Sequence, residues 1–143
     1  LQMDLSIRDY KKGDFEEINR LWQDTGMGGS IRGDNEAVIE QTLRNGGRLR
    51  VMVTGGEEKI IGTSWITNDR RRLYLHHFGI NPDFQGNGLS KILLNDSLHI
   101  AKDIGLQIKI EVHKTNHKAL NLYKKYGFGY LGDYEVYIIR KYE

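Results

Sequence analysis

A chain of 143 residues, of which 38% are hydrophobic and 28% charged, has the size and balance of one folded domain rather than of a disordered segment. Its net charge of +2 does not indicate the concentrated basic surface of a nucleic-acid-binding protein, and the absence of cysteine excludes disulfides, thiolate catalysis and cysteine-bound zinc. No apolar run reaches membrane-spanning length and no secretory leader is recognisable, so we expect a cytoplasmic protein without a nucleic-acid or membrane partner.

The first third of the chain predicts a strand followed by two helices. Residues 3–10 alternate weakly between apolar and polar side chains, which is typical of a strand. Asp14 and Glu17 resemble a capping box and predict the start of the first helix. The apolar stripe of this helix consists of Phe15, Ile18, Leu21 and Trp22. Asp34 or Asn35 is expected to cap the second helix.

A glycine-rich segment separates these two helices. Residues 25–33 contain four glycines in nine positions and show no periodicity, which predicts a flexible loop. A lid over an acceptor site and a simple connector both fit a loop of this length, and both readings stay open.

Four further strands and one long helix follow. Three segments alternate between apolar and polar residues and predict an antiparallel meander, with a hairpin at Gly55-Gly56. They cover residues 48–54, 59–67 and 72–80. A helical stripe begins after Gly88, and residues 106–113 then alternate cleanly. Strand, helix and strand in this order predict a right-handed crossover with parallel pairing.

The turn between the strand at 72–80 and the long helix is the most informative stretch. Gly86 and Gly88 straddle one residue just before the helix. Glycine lets another molecule approach the backbone closely, and a helix start presents unpaired N–H groups with a partial positive charge. The turn therefore predicts a cradle for phosphate oxygens in which backbone amides bind a diphosphate, because no P-loop lysine pattern is present. A tight turn without a ligand fits two glycines equally well.

The last part of the chain predicts one short helix and one or two strands. Asn116 can cap the helix and Gly127 can end it. Residues 128–142 are predicted to form one or two strands, with a bend at Gly132-Asp133. The whole pattern predicts a single domain over residues 3–143, of the α/β (α+β) class, with a mixed and mostly antiparallel sheet.

Two segments together resemble the GNAT superfamily of N-acetyltransferases. Residues 85–90 resemble its Q/R-x-x-G-x-G/A acetyl-CoA signature, with Ser90 in place of the usual glycine or alanine. Residues 111–128 resemble its more specific E-V-x-x-x-N-x-x-A-x-x-L-Y-x-x-x-G-F motif. The resemblance spans essentially the whole domain and implies a GNAT-like three-layer fold with a central βαβ unit and splayed parallel strands. It also implies an acyl-CoA N-acyltransferase that moves an acetyl group from acetyl-CoA to a primary amine.

The resemblance further implies where acetyl-CoA binds. In the family, the amides of the glycine turn hold the CoA diphosphate. The corresponding residues here are Gln85, Gly86, Asn87, Gly88, Leu89 and Ser90. The pantetheine arm lies along the edge of the preceding strand, which implies the backbone of Phe78, Gly79 and Ile80; these amides could also polarise the thioester carbonyl. Asn116 is expected to contact CoA, although helix capping alone would explain it.

The same resemblance suggests two catalytic groups. Tyr123 matches the tyrosine that the family places near the CoA sulfur, where a protonated phenol can donate to the departing thiolate; packing among aromatic residues is the alternative. A primary ammonium has a pKa near ~10.4 and must lose a proton before it attacks. Glu111 is the candidate base; a solvated carboxylate beside Lys109, with water as the base, is the alternative.

Five histidines raise the question of a metal site. His76 and His77 are adjacent on a strand and are expected to point to opposite faces. His113 and His117 flank a strand-to-helix break without an acidic third ligand, so no metal is predicted. Either His76 or His77 could line the acceptor site or relay a proton, and ordinary packing is the alternative.

Several functional readings stay open. Direct attack in a ternary complex, on a small-molecule amine or a protein or peptide amine, is the leading one, and a non-catalytic acyl-CoA-binding or sensing domain is the alternative. A dinucleotide-binding module is disfavoured because Lys91 stands where GxGxxG requires its third glycine. Tyr130, Tyr134 and Tyr137 are expected to contribute packing and a possible homodimer contact.

Overall fold

The computed structural model of the chain describes residues 4–28 and 32–142. They belong to two compact units, Leu1–Ile110 and Glu111–Glu143. The described part of the first unit contains a five-stranded sheet and three α-helices, and that of the second contains one α-helix.

The sheet of the first unit has its strands in chain order. The strands are β1 (Leu5–Asp9), β2 (Arg48–Thr54), β3 (Ile60–Asn68), β4 (Arg72–Ile80) and β5 (Gln107–Ile110). The helices of the chain are α1 (Phe15–Thr25), α2 (Glu36–Arg44), α3 (Leu89–Ile104) and α4 (His117–Lys125). Neighbouring strands pair antiparallel from β1 to β4, whereas β4 and β5 are parallel across α3. The predicted mixed, mostly antiparallel sheet with one βαβ unit is therefore confirmed.

Alternation along the strands divides the core between the two faces of the sheet. On one face, Trp22 of α1 and Ile39 of α2 pack with Trp65 of β3, and the two indole rings stack at 5.5 Å between centroids. On the other face, Leu89 and Leu93 of α3 pack against inward side chains of β2, β3 and β4. The first unit thus has three layers, with α1 and α2 on one face and α3 on the other.

The starts of the first two helices differ from each other. Asp14 has helical backbone angles and makes no side-chain cap; its carboxylate instead accepts from Arg8 Nη1 at 2.7 Å and from the Lys11 amide at 2.9 Å. Glu17 accepts from the Ile60 amide of β3, so the predicted capping box is wrong. Asn35 caps α2 as predicted, with its Oδ1 2.9 Å from the Val38 amide.

The second unit departs most from the sequence prediction. Residues 128–142 were expected to form strands, but no helix or strand is present among them. Tyr130, Tyr134 and Tyr137, expected to contribute packing, are largely exposed. An alternating pattern specifies a strand only where a neighbouring strand supplies backbone partners and an apolar surface, and this segment has no such neighbour within its unit as described.

No helix in the described part of the chain is long and apolar enough to cross a membrane.

Candidate active site

A β-bulge interrupts β4 just before the predicted cofactor residues. Thr63 of β3 pairs with Gly79 and Trp65 pairs with His76, so two residues of β4 lie opposite one residue of β3. His77 takes up the extra residue with a φ of 46°, a left-handed conformation that is uncommon for a residue other than glycine. Its carbonyl accepts from Thr63 Oγ1 at 2.7 Å, which fixes the bulge to β3.

Beyond the bulge, β4 continues past its parallel partner. The pairing of β4 with β5 runs from Arg72 and Gln107 to Leu75 and Ile110 and ends there, whereas β4 itself extends to Ile80. The last five residues of β4 therefore present an edge that β5 does not cover. This stretch of β4, which β5 does not pair with, carries Phe78, Gly79 and Ile80, the residues that the resemblance implied for the pantetheine arm.

The glycine turn after β4 is exposed and ends at an uncapped helix start. Gly86 and Gly88 have φ values of 86° and 74°, and a Cβ built on either would meet no atom within 4 Å. Gly88 occupies the N-cap of α3 without a side-chain acceptor, and no acidic residue lies in the first turn. The side chain of Gln85 turns back to donate to the Ile80 carbonyl at 2.9 Å. No side chain caps the N–H groups at the start of α3, and this arrangement suits an anion such as a diphosphate.

The remaining predicted site residues belong to the second unit. Asn116 caps α4, with Oδ1 3.2 Å from the Ala119 amide. Tyr123 is 7% exposed and its ring meets that of Phe128 edge-on at 5.5 Å. Burial raises the pKa of the Tyr123 hydroxyl above its ordinary value, so this side chain stays protonated at neutral pH. Glu111 is exposed and lies just beyond β5, so its predicted place on the face of that strand is wrong.

The two adjacent histidines do not point to opposite faces. The rings of His76 and His77 both contact the Trp65 ring, at 6.1 and 5.3 Å between centroids, because the bulge returns the extra residue to the same face of the sheet. His76 also stacks on Tyr74, and its Nε2 lies 2.9 Å from Thr67 Oγ1.

A carboxylate that sequence reasoning considered only as a helix cap completes this cluster. Asp34 Oδ2 lies 2.8 Å from His77 Nε2, and the two side chains are 6% and 11% exposed. The residues are 43 positions apart, so neither spacing nor periodicity indicates the pair. One indication of a site in this region is present in the sequence, the glycine-rich segment at residues 25–33, which directly precedes Asp34.

Solved structures with a similar fold include several acetyltransferases. One is an N-acetyltransferase from Staphylococcus aureus Mu50, with 18% sequence identity, a TM-score of 0.77 and coverage of 90% of this chain and 86% of that chain. Another is the ribosomal-protein-S18-alanine N-acetyltransferase from Escherichia coli, with 18% identity, a TM-score of 0.71 and coverage of 87% and 77%. A third, a GNAT family acetyltransferase from Elizabethkingia anophelis with acetyl-CoA bound, has 22% identity, a TM-score of 0.64 and coverage of 88% and 76%. At these identities the likeness is one of fold.

The sequence itself also matches a family. Residues 15–128 match the model of the Acetyltransferase (GNAT) family. The matched range begins with α1, includes the bulge and the glycine turn, and ends at the last residue of the second sequence motif. The chain therefore belongs to the GNAT acetyltransferase family, whose members are of the acyl-CoA N-acyltransferase type.

Proposed function

We propose that this protein is an N-acetyltransferase that moves an acetyl group from acetyl-CoA to a primary amine by direct attack in a ternary complex. One observation carries the proposal: the edge of β4 that β5 does not pair with begins at a bulge and leads directly into an exposed two-glycine turn at an uncapped helix start. The first feature suits an extended chain with amide groups, and the second suits its diphosphate. Together they fit the two ends of a CoA thioester.

The residues present fit this acyl donor at specific atoms. The amides of Gln85–Ser90 would hold the diphosphate, because the two open glycines leave their backbone accessible. The backbone of Phe78, Gly79 and Ile80 would hold the pantetheine arm along the edge of β4 and polarise the thioester carbonyl. Asn116, whose side chain already caps α4, would add one contact. Acetyl-CoA would supply the activated acyl group, and the protein would orient the thioester and donate hydrogen bonds to it.

Proton donation to the departing sulfur is the role proposed for Tyr123. Burial raises the pKa of the Tyr123 hydroxyl, so the phenol is fully protonated at neutral pH and has a proton to donate. The developing thiolate would take that proton as the carbon–sulfur bond breaks. Glu111 is the base that the sequence motif suggests for the amine, acting directly or through a water.

The acceptor is proposed to be a primary amine on a small molecule or on a protein or peptide. The E. coli structure of similar fold acts on an alanine of ribosomal protein S18, so peptide N-termini belong in any acceptor screen beside polyamines and amino acids. A homodimer is also proposed, supported by the apolar side chains exposed in the described part of the tail.

The proposed function is tested by thiol release from acetyl-CoA in the presence of a panel of such amines. We expect release that depends on both substrates, and initial velocities whose double-reciprocal lines intersect when both concentrations are varied, as a ternary complex requires. Parallel lines would indicate a covalent acyl-enzyme and contradict direct attack. Binding of acetyl-CoA without thiol release for any amine would favour the acyl-CoA-sensing alternative.

A further inference from the structure

We infer that His77, oriented by Asp34, accepts the proton from the acceptor amine. The inference rests on the proposed function and concerns the base, for which the sequence motif suggests Glu111. It depends on three features of the first unit: the backbone at the bulge, the buried carboxylate–imidazole pair, and the way the segment after α1 covers β4.

The bulge brings the imidazole next to the proposed thioester position. His77 directly precedes Phe78, Gly79 and Ile80, whose backbone is proposed to hold the acyl donor. A histidine with a φ of 46° is held in a sparsely populated conformation, and such strain persists only where the surroundings determine it. Here they do so through Thr63, which donates to the His77 carbonyl at 2.7 Å and accepts from Trp22 Nε1 at 2.9 Å.

The pair has the geometry of a carboxylate that orients an imidazole. Asp34 Oδ2 is 2.8 Å from His77 Nε2, and the ring stands edge-on to Trp22 at 4.5 Å and to Trp65 at 5.3 Å. When Nε2 carries the hydrogen and donates it to Asp34, the lone pair lies on Nδ1, which is then the basic nitrogen. The carboxylate also stabilises the imidazolium that forms when the proton arrives. Asp34 is thus a positioning residue and His77 the proton acceptor.

Two residues that follow α1, Met27 and Gly28, pack closely against β4 and against this pair. A Cβ on Gly28 would overlap both Asp34 Oδ2 and His77 Nε2, and one on Gly79 would lie 2.8 Å from Met27 Sδ. Gly28 therefore packs against the pair, and the adjacent Met27 packs against Gly79. Glycine at position 28 permits this close approach.

The proton balance of the transfer follows. The amine nitrogen forms a bond to the acyl carbon, and the carbon–sulfur bond breaks. The ammonium form of the acceptor first releases one proton to solvent. During the transfer the neutral nitrogen loses a second proton to His77, and the sulfur takes one from Tyr123. The products are an amide and a free thiol, after which the two side chains return to their first protonation states by exchange with solvent.

The test compares His77→Gln, His76→Gln and Glu111→Gln, with kcat measured from pH 5.5 to 9 at saturating acetyl-CoA. Two titratable groups face the His77 ring in the described structure: Asp34, from the segment before α2, and His76 on the same strand, whose ring centroid is 6.3 Å away. The neighbours from α1 and β3 are the indole rings of Trp22 and Trp65, which do not titrate. A protonated imidazole cannot accept a proton, so His77 contributes an acid limb to the wild-type kcat, in addition to the pH dependence set by the acceptor ammonium. His77→Gln should lose the contribution of the imidazole to this limb and lower kcat by about 10²–10⁴-fold.

The positioning role of Asp34 has its own readout. Asp34→Asn should lower kcat while leaving the KM for acetyl-CoA unchanged, because the variant keeps a side chain of the same shape and loses only the charge. A loss of acetyl-CoA binding in Asp34→Asn would assign the pair to holding the segment between α1 and α2, and would overturn the inference.

A second variant keeps the inference testable if His77→Gln does not fold. His77→Gly relieves the positive φ and removes the ring, and added imidazoles should restore activity in proportion to their basicity. Three outcomes would each overturn the inference. The first is that imidazoles fail to rescue folded His77→Gly, and the second is that His77→Gln retains activity within about threefold of wild type. The third is that Glu111→Gln or His76→Gln loses the acid limb. Those outcomes require an active wild type, whereas failure of the proposed function appears as an inactive wild type.

Discussion

Replacing Tyr123 with phenylalanine is expected to lower kcat by about 10²–10⁴-fold, the usual contribution of a positioned general acid, while acetyl-CoA binding is retained. Phenylalanine keeps the ring and its edge-on contact with Phe128, so the change removes the hydroxyl proton with little loss of packing. The measurement is a single-turnover rate beside an acetyl-CoA titration by calorimetry.

Tyr126→Phe is the matched control for this variant. Tyr126 follows α4 by one residue, is half-buried, and loses the same hydroxyl in the substitution. We expect wild-type kcat from Tyr126→Phe. Equal losses in both variants, or an unchanged kcat in Tyr123→Phe, would remove Tyr123 from the proton transfer.

The pH dependence of this step has a defined sign. Burial raises the pKa of the Tyr123 hydroxyl, so this group stays protonated up to and beyond the ordinary tyrosine pKa of about 10. Tyr123 therefore contributes no falling limb to the rate between pH 6 and about 10. The folded state binds this proton more tightly than the unfolded state, so the free energy of unfolding falls as the pH rises above about 10.

Substituting Gly88 with alanine is expected to weaken acetyl-CoA binding by about tenfold, which corresponds to about 1.4 kcal/mol. The residue has a φ of 74° at the N-cap of α3, in the middle of the proposed diphosphate cradle. A Cβ there meets no protein atom, so it would occupy the open space in which the phosphate oxygens are proposed to lie.

Gly105→Ala at the other end of α3 is the control. Gly105 has a φ of 84° and also has no atom within 4 Å of a built Cβ. Alanine in a left-handed conformation costs about 1–2 kcal/mol, so both variants should unfold a few degrees below wild type. Only Gly88→Ala should lose affinity. Equal acetyl-CoA affinity in the two variants would place the diphosphate elsewhere.

Local patterns in the sequence were sufficient for most of the secondary structure. Periodicity and capping chemistry predict an element when it depends on residues that are close together in the chain. This holds for the meander from β2 to β4, the cap at Asn35 and the helix start after Gly88. The parallel pairing of β4 with β5 follows from the length of the crossover between them. The capping box at Asp14 failed because Arg8 and the Lys11 amide bind the carboxylate of Asp14, and the Ile60 amide of β3, far away in the chain, binds that of Glu17.

The candidate site is where local patterns are insufficient. The cradle glycines are visible in the sequence, but a one-residue bulge in β4 reverses which face His77 occupies, and nothing in an alternating run indicates an extra residue. The contact of His77 with Asp34 joins positions 43 residues apart and exists only once the segment between α1 and α2 has folded onto β4. The strands expected in residues 128–142 failed for a related reason, because a strand is stabilised by its neighbours.

Thermal unfolding with and without acetyl-CoA, with NAD and ATP as controls, tests the central claim most directly. At about a hundred times its dissociation constant, a ligand that binds the folded state adds roughly 2.7 kcal/mol, which raises the melting temperature of a domain of this size by several degrees. We expect this shift with acetyl-CoA and not with equal concentrations of NAD or ATP. No shift with acetyl-CoA, or a larger shift with NAD, would contradict the claim that the edge of β4 and the turn at Gly86 and Gly88 form an acetyl-CoA site.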